Sequence, residues 1–167
     1  ANAYAGGDGT AGTPYEIANW HHLDNVRQNL DKEFVLTADL DSNTAGYSSV
    51  VSDPSDGFDP IGDSGAPFTG LFDGDNHTIT NLTIARGSEN YVGLFGYVVG
   101  GTVQNVGAER FDITGDVDVG GLVAQSSGTV TSPYSAGDGP TSDDVGCLIW
   151  NKDGSAQTSA RVARYSR

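Results

Sequence analysis

The chain has 167 residues with 22 acidic and 8 basic side chains, a formal charge of −14, together with 24 Gly, no Met and one Cys. That length is one domain's worth, and the excess of carboxylates disfavours nucleic acid and other anionic polymers as partners. The lone Cys147 permits no internal disulfide, and no run approaches the ~20 apolar residues of a membrane span. Direct membrane insertion is therefore not expected, and the missing Met points to a mature product or a fragment.

The first segment, Gly6-Gly7-Asp8-Gly9-Thr10, is turn-rich and lacks the Gly-Lys-Ser/Thr ending of a phosphate-cradling loop. Trp20, Leu23, Val26 and Leu30 then recur on one face of a helix predicted over 19–30, which would close one end of a β core. Residues 1–33 are thus predicted to form an N-terminal segment with a capping helix. Phe34 to Leu40 reads as the first strand. Residues 41–66, rich in Ser, Asp and Gly, read as a long loop projecting from the first rungs, which occupy 34–88.

From residue 89 onward the sequence repeats. Val92-Gly93-Leu94-Phe95 falls on Val119-Gly120-Gly121-Leu122-Val123 and on Val145-Gly146-Cys147-Leu148-Ile149, the leucines being 28 and 26 residues apart. A second block, Gly101-Thr102-Val103, falls on Gly128-Thr129-Val130 and Gly154-Ser155-Ala156, 27 and 26 apart. Units this small cannot bury their own apolar faces and must stack on one another. Each contains short aliphatic or β-branched runs bounded by Gly, Asp, Ser and Asn, which are strand and turn signals. Three short strands with turns take roughly 25 residues, one circuit of a parallel β-helix, whereas a propeller blade needs about 40. The sequence therefore predicts an all-β protein, a single parallel β-helix (solenoid) module over 1–167 with about five rungs, in which Leu94, Leu122 and Leu148 share an inner face and so do Val103 and Val130. Cys147 is expected to be a buried structural thiol.

The segments Phe68-Thr69-Gly70-Leu71-Phe72-Asp73-Gly74-Asp75-Asn76-His77-Thr78-Ile79, Tyr91-Val92-Gly93-Leu94-Phe95-Gly96 and Val119-Gly120-Gly121-Leu122-Val123 resemble the GLUG-motif repeat family. Gly96 keeps that motif's closing glycine, while Ala124 and Trp150 replace it, so the last repeat is degenerate. The resemblance implies a pectin-lyase-like, right-handed β-helix, secreted or displayed on the surface of bacteria or archaea, halophiles among them. Such modules serve adhesion or structure, with a cell-surface glycan, a protein or neighbouring repeats as partners.

Chemistry-bearing constellations are few. Asp73 and Asp75 have the spacing of a carboxylate dyad but lie in turn sequence, and no nucleophile with a base and no complete metal set is present, so no catalytic residue and no obligate cofactor is assigned. Asp39, Asp41 and Asn43 place oxygens at positions 1, 3 and 5 of a calcium-loop pattern, which then fails at Thr44 and Val50. Calcium at these residues and adaptation to concentrated salt are the two explanations of the charge. Asn76-His77-Thr78 and Asn81-Leu82-Thr83 are glycosylation sequons; Asn76 is the better acceptor, Asn81 being expected to point toward the stack. Tyr47, Phe58, Phe68 and Tyr91 are candidate sugar-stacking platforms around the 41–66 loop. They keep open the alternative of a carbohydrate-binding module or a polysaccharide lyase or hydrolase on the same scaffold.

Overall fold

The computed structural model describes residues 3–131 except 53, 54 and 117, and beyond them the strand backbones at 134–135, 148–151, 156–158 and 165–166. Cys147 lies outside the described residues. The protein is mostly strand with little helix. Strand β1 (Tyr15–Ile17) leads into helix α1 (Trp20–Asn25) and a 3-10 turn at Val26–Gln28 before β2 (Glu33–Leu36). Asn19 caps α1, its side-chain oxygen accepting the His22 amide at 3.0 Å. Trp20, Leu23 and Val26 are fully buried. The α-helix is shorter than the apolar spacing predicts: the Asn25 carbonyl accepts the Tyr4 hydroxyl at 3.0 Å, and the chain leaves helical geometry at Asn29, φ −142°.

The remaining elements are α2 (Tyr47–Val50), β3 (Leu71–Asp73), β4 (Thr78–Thr80), β5 (Thr83–Ala85), β6 (Phe95–Val98), β7 (Thr102–Gln104), β8 (Gly107–Glu109), β9 (Asp112–Thr114), β10 (Val123–Ser126), β11 (Thr129–Thr131), β12 (Tyr134–Ser135), β13 (Leu148–Asn151), β14 (Ala156–Thr158) and β15 (Tyr165–Ser166). They form four sheets, ordered β1-β2-β3-β7-β11, β4-β8-β12, β5-β9-β15 and β6-β10-β13-β14. Between β3 and β6 the chain visits the four sheets in turn, and between β7 and β10 it visits them again in the same order. Every named pairing is parallel except β13 with β14.

Register carries the core through the stack. Phe34 pairs with Phe72, Phe72 with Val103, and Val103 with Val130. The first three are fully buried and Val130 is partly so. Their flanking residues, Leu71 and Asp73 or Thr102 and Gln104, are less buried, which is the period-2 pattern of strands with one face inward. Leu94 and Leu122 immediately precede the paired Phe95 and Val123, and both are buried. Leu148 holds the equivalent backbone position before Ile149, which pairs with Val123. The third copy of the second block departs from the predicted repeat: Ala156–Thr158 pairs antiparallel with β13 in the fourth sheet instead of extending β11 in the first. The Thr-Val-Thr of β11 has become Ala-Gln-Thr there, with no β-branched residue at the core position.

Residues 41–66 are not one projecting loop. Leu40 bridges Ile79, Gly57 bridges Ile84 in antiparallel sense, and Ile61 and Phe68 bridge Phe95 and Val98 of β6, so the stretch 40–68 passes the second, third and fourth sheets in order. Val51, Phe58 and Ile61 are fully buried. Between the Leu40 and Gly57 bridges the chain carries α2. The anchors are hidden in sequence because they are single apolar residues between glycines. At Gly57 and Gly62, φ +71° and +84°, a Cβ would lie 2.3 Å from the Thr83 carbonyl oxygen and 2.7 Å from that of Tyr97.

The corners between sheets are made by left-handed residues that recur from one circuit to the next. Asn76 and Asn105 each stand two residues before a strand of the second sheet, Asn81 and Arg110 each follow one, and Tyr91 and Asp118 precede the bridged Val92 and Val119; all six have φ between 53° and 65°. Asn and Asp tolerate this region, while other side chains with a Cβ incur roughly 1–2 kcal/mol. Arg110→Asn should therefore stabilise the protein by about 1 kcal/mol in urea unfolding, its exposed pairing with Glu109 at 3.8 Å being weak. Phe72→Ala, at the centre of the buried column, should cost about 3–5 kcal/mol in the same measurement; a loss below about 1 kcal/mol would show that the column does not carry the fold.

Candidate functional site

The carboxylates that stand out in the sequence act first as turn locks. Asp39 Oδ1 accepts the Thr78 amide at 2.8 Å and faces His77 Nδ1 at 3.1 Å, tying the end of the first strand region to β4. Asp41 Oδ1 accepts the Asn43 amide at 2.7 Å, and the Asp41 carbonyl accepts Trp20 Nε1 at 2.9 Å. Asp39, Asp41 and Asn43 therefore belong to two different hydrogen-bond sets. Among the described residues no three His, Cys, Asp or Glu side chains gather closely enough to hold a metal ion. Asp73 Oδ1 accepts the Asp75 amide at 2.8 Å, and its Oδ2 accepts Gln104 Nε2 at 3.1 Å, so it links its own turn to the next circuit.

The candidate aromatic platforms divide by burial. Phe58 and Phe68 are fully buried; Phe68 lies 5.0 Å from Phe95 and 6.2 Å from Phe34, centroid to centroid. Neither ring offers a face to a sugar, which corrects the reading of these two residues as surface platforms: they are the apolar anchors of the 57–68 stretch. Tyr47 is half-buried, edge-on to Trp20, and its hydroxyl donates to the Asn81 carbonyl at 2.8 Å. Tyr91 is half-buried and packs edge-on against Tyr97 at 5.1 Å. Tyr97 was not singled out by sequence reasoning, since it shares a short strand with the buried Phe95. Asn76 is exposed at a turn tip, and Asn81 is half-buried.

One constellation has no sequence signature, because its members lie far apart in the chain. Arg27 Nη1 donates to Asp24 Oδ1 at 2.7 Å, Nη2 donates to the Asp59 carbonyl, and Nε lies 3.3 Å from Asp59 Oδ2, near enough to pair electrostatically but not aligned for a hydrogen bond. The other Asp59 oxygen is 3.9 Å from Arg86 Nη1, which donates to Glu89 Oε1 at 3.1 Å. The Arg27 guanidinium also sits 5.6 Å over the Phe58 ring. The result is a chain of alternating charges from the α1 region through 57–68 to the corner after β5. Such partly exposed pairs contribute little individually, but together these link the α1 region to Asp59 and to the corner after β5.

His22 lies in α1. Its Nδ1 accepts the Ala18 amide at 3.1 Å, and burial, with a smaller contribution from neighbouring His21, lowers its pKa below the ordinary histidine value.

No family model and no solved structure matches the chain. Over 150 residues, 86% of this chain and 2% of the relative, it is 39% identical to Halomucin of Haloquadratum walsbyi. Over 120 residues, 70% of this chain and 13% of the relative, it is 38% identical to a protein of Evansella cellulosilytica bearing the name Gly-rich membrane protein. The chain thus spans only a small part of either relative's length. Among the described residues no helix is long and apolar enough to cross a membrane.

The depressed His22 pKa fixes a sign. The folded state favours the neutral ring, so stability is fully present above the ordinary histidine pKa of about 6.5 and declines as pH falls through that value toward the folded one. Unfolding midpoints should drop between about pH 7 and pH 5, and His22→Asn, which keeps an acceptor for the Ala18 amide, should flatten that slope. An unchanged slope in the variant would assign the pH dependence elsewhere.

Proposed function

We propose that the chain is a non-catalytic, surface-displayed module built as a right-handed parallel β-helix, with α1 covering its first end and its corners presented to a cell-surface glycan, a protein or further modules of the same kind. The observation that carries this reading is the twofold passage through four sheets in one order and with maintained register. This is what stacked coils require, and it makes the side chains at the corners the natural variable surface. The GLUG-like repeat residues favour the same architecture. The likeness to parts of Halomucin and of a protein named as a membrane protein supports a place at the cell surface, and the genus of the first relative supports a salt-loving setting. For binding, the Tyr91–Tyr97 pair and the 41–56 excursion are the best-placed features. A half-buried tyrosine pair gives a glycan apolar area with hydroxyls at its rim, which favours carbohydrate binding over catalysis as the second reading.

Protease shaving of intact cells, followed by peptide mass spectrometry, tests the location: peptides of the chain should be released without lysis, and recovery only after lysis would defeat the proposal. Tyr91→Ala with Tyr97→Ala should abolish any glycan-array signal while leaving the unfolding midpoint within a few degrees, about 1–2 kcal/mol for a domain this size.

The charge makes a separate expectation. With −14 in total, screening over ~3 Å at about 1 M salt should relieve carboxylate repulsion, so the melting temperature should rise steadily into molar KCl. Millimolar calcium at low salt would instead produce a saturable rise if Asp39, Asp41 and Asn43 bind the ion. A flat response to both would remove both explanations of the acidity.

A further inference from the structure

We infer that Asn76 accepts an N-linked glycan and that Asn81, five residues on, does not. Both head an Asn-x-Thr pattern, which an oligosaccharide transferase recognises through the Asn amide and the hydroxyl two residues later. The backbone separates two sites that the sequence leaves nearly equivalent.

Asn76 lies in the turn between β3 and β4. The His77 amide donates to the Gly74 carbonyl at 2.8 Å, and the two central residues, Asp75 and Asn76, have φ of +47° and +63°. These are the marks of a tight turn of the primed type, which favours Asn and Asp at its centre. Asp73 holds the turn by accepting the Asp75 amide. Asp75 and Asn76 are both exposed, so a sugar on Asn76 extends into solvent.

Asn81 sits at the next corner and is half-buried. Its amide donates to the Glu109 carbonyl at 3.0 Å, and its own carbonyl accepts the Tyr47 hydroxyl at 2.8 Å. Tyr47 in turn packs at 5.7 Å against the buried Trp20. Both bonds are to main-chain atoms, but the Tyr47 hydroxyl at that carbonyl places α2 against the corner, so a glycan on the half-buried Asn81 would crowd α2.

The covalent step is a substitution at a sugar carbon. Asn76 Nδ2 forms a bond to the anomeric carbon of a lipid-phosphate-linked oligosaccharide, the anomeric C–O bond to phosphate breaks, the lipid phosphate leaves with the electron pair, and the amide nitrogen loses one proton. Nothing is oxidised or reduced. In the folded protein Thr78 opens β4 and its amide is held by Asp39. The modified chain keeps this strand because the acceptor ends at an exposed tip.

The test is to export the full chain behind a signal sequence from an N-glycosylating halophilic archaeal host, which reads modification independently of the chain's own cellular address and thus of the surface proposal. Intact mass and peptide mapping should show one glycan, on Asn76. Asn76→Asp, which suits the left-handed position, and Thr78→Val, which keeps a β-branched residue in β4, should each remove that mass while circular dichroism retains the β spectrum. Should the second variant fail to fold, the first decides. An exported, folded chain with bare Asn76 would overturn the inference, and so would a glycan on Asn81.

Discussion

The structure depends on one constraint: successive circuits must meet in parallel register so that a backbone too short to make its own sheet can hydrogen-bond to the circuit beside it. A strand such as Leu71–Asp73 has three residues and one fully buried side chain. Alone it could not offset the entropy of ordering its backbone. Placed between Glu33–Leu36 and Thr102–Gln104, it pairs along both edges, and Phe72 becomes the middle of a column from Phe34 to Val103. Register is not negotiable in such a stack, because a one-residue slip would turn Phe72 out and Asp73 in. The left-handed corners follow from this. A circuit that must return in register needs sharp changes of direction at fixed places, and Asn76, Asn81, Asn105 and Asp118 supply them with side chains that tolerate positive φ.

The acidity of the chain is tied to the same geometry. Asp8, Asp41, Asp63 and Asp73 each accept the backbone amide two residues on, at 2.7–3.0 Å. These carboxylates are turn makers as well as charges. For Asp8, hydrogen bonds from the Thr10 hydroxyl and amide lower the pKa, so its contribution is present above the ordinary aspartate range and fades as pH falls through the depressed value. Asn could form the same turns without charge, so turn chemistry accounts for where these acids sit and not for why Asp is used in so many places. The remaining term is the preference of the surface for charge, and it acts against the compact state unless ions screen it. The Asp24–Arg27–Asp59–Arg86–Glu89 chain has the opposite salt dependence, since screening weakens attraction too. Three of the 22 acidic side chains belong to this cluster, so its attraction opposes the repulsion among the rest.

Much of this was legible in the sequence where the same residue types recur at the same spacing. Leu94 with Leu122 and Val103 with Val130 were visible as pairs because each lies inside a Gly-bounded block, and the structure puts both pairs at matched backbone positions. The passage from 57 to 68 was not legible, because its contacts are made by isolated residues. Phe58 and Ile61 lie between glycines in a Ser- and Asp-rich background, where local composition argues for a loop and only the partner strands reveal the bridges. The helix was overextended for a different reason. Leu30 continues the apolar period, but the tertiary bond from Tyr4 to the Asn25 carbonyl ends the α-helical turn sooner. Sequence cannot read burial for the aromatic candidates: a phenylalanine is the same residue whether it faces a sugar or the core, and Phe58 and Phe68 face the core.

Circuit length shows where variation is tolerated. Along the central column 38 residues separate Phe34 from Phe72, 31 separate Phe72 from Val103 and 27 separate Val103 from Val130, yet each pair is in register. The extra residues are therefore accommodated between strands, where 41–56 carries α2 and where the turn at 74–77 is longer than the corresponding corner at 105–106. This is the expected distribution if strand register is strongly specified while loop length costs little: a doubling of loop length adds only about 0.6 kcal/mol of closure entropy. A scaffold with this asymmetry can change what it presents at a corner without changing the column beneath. The features that differ between circuits, the 41–56 excursion, the Asn76 turn and the Tyr91–Tyr97 pair, all lie outside that column. Their chemistry can vary while Phe34, Phe72 and Val103 keep the circuits stacked.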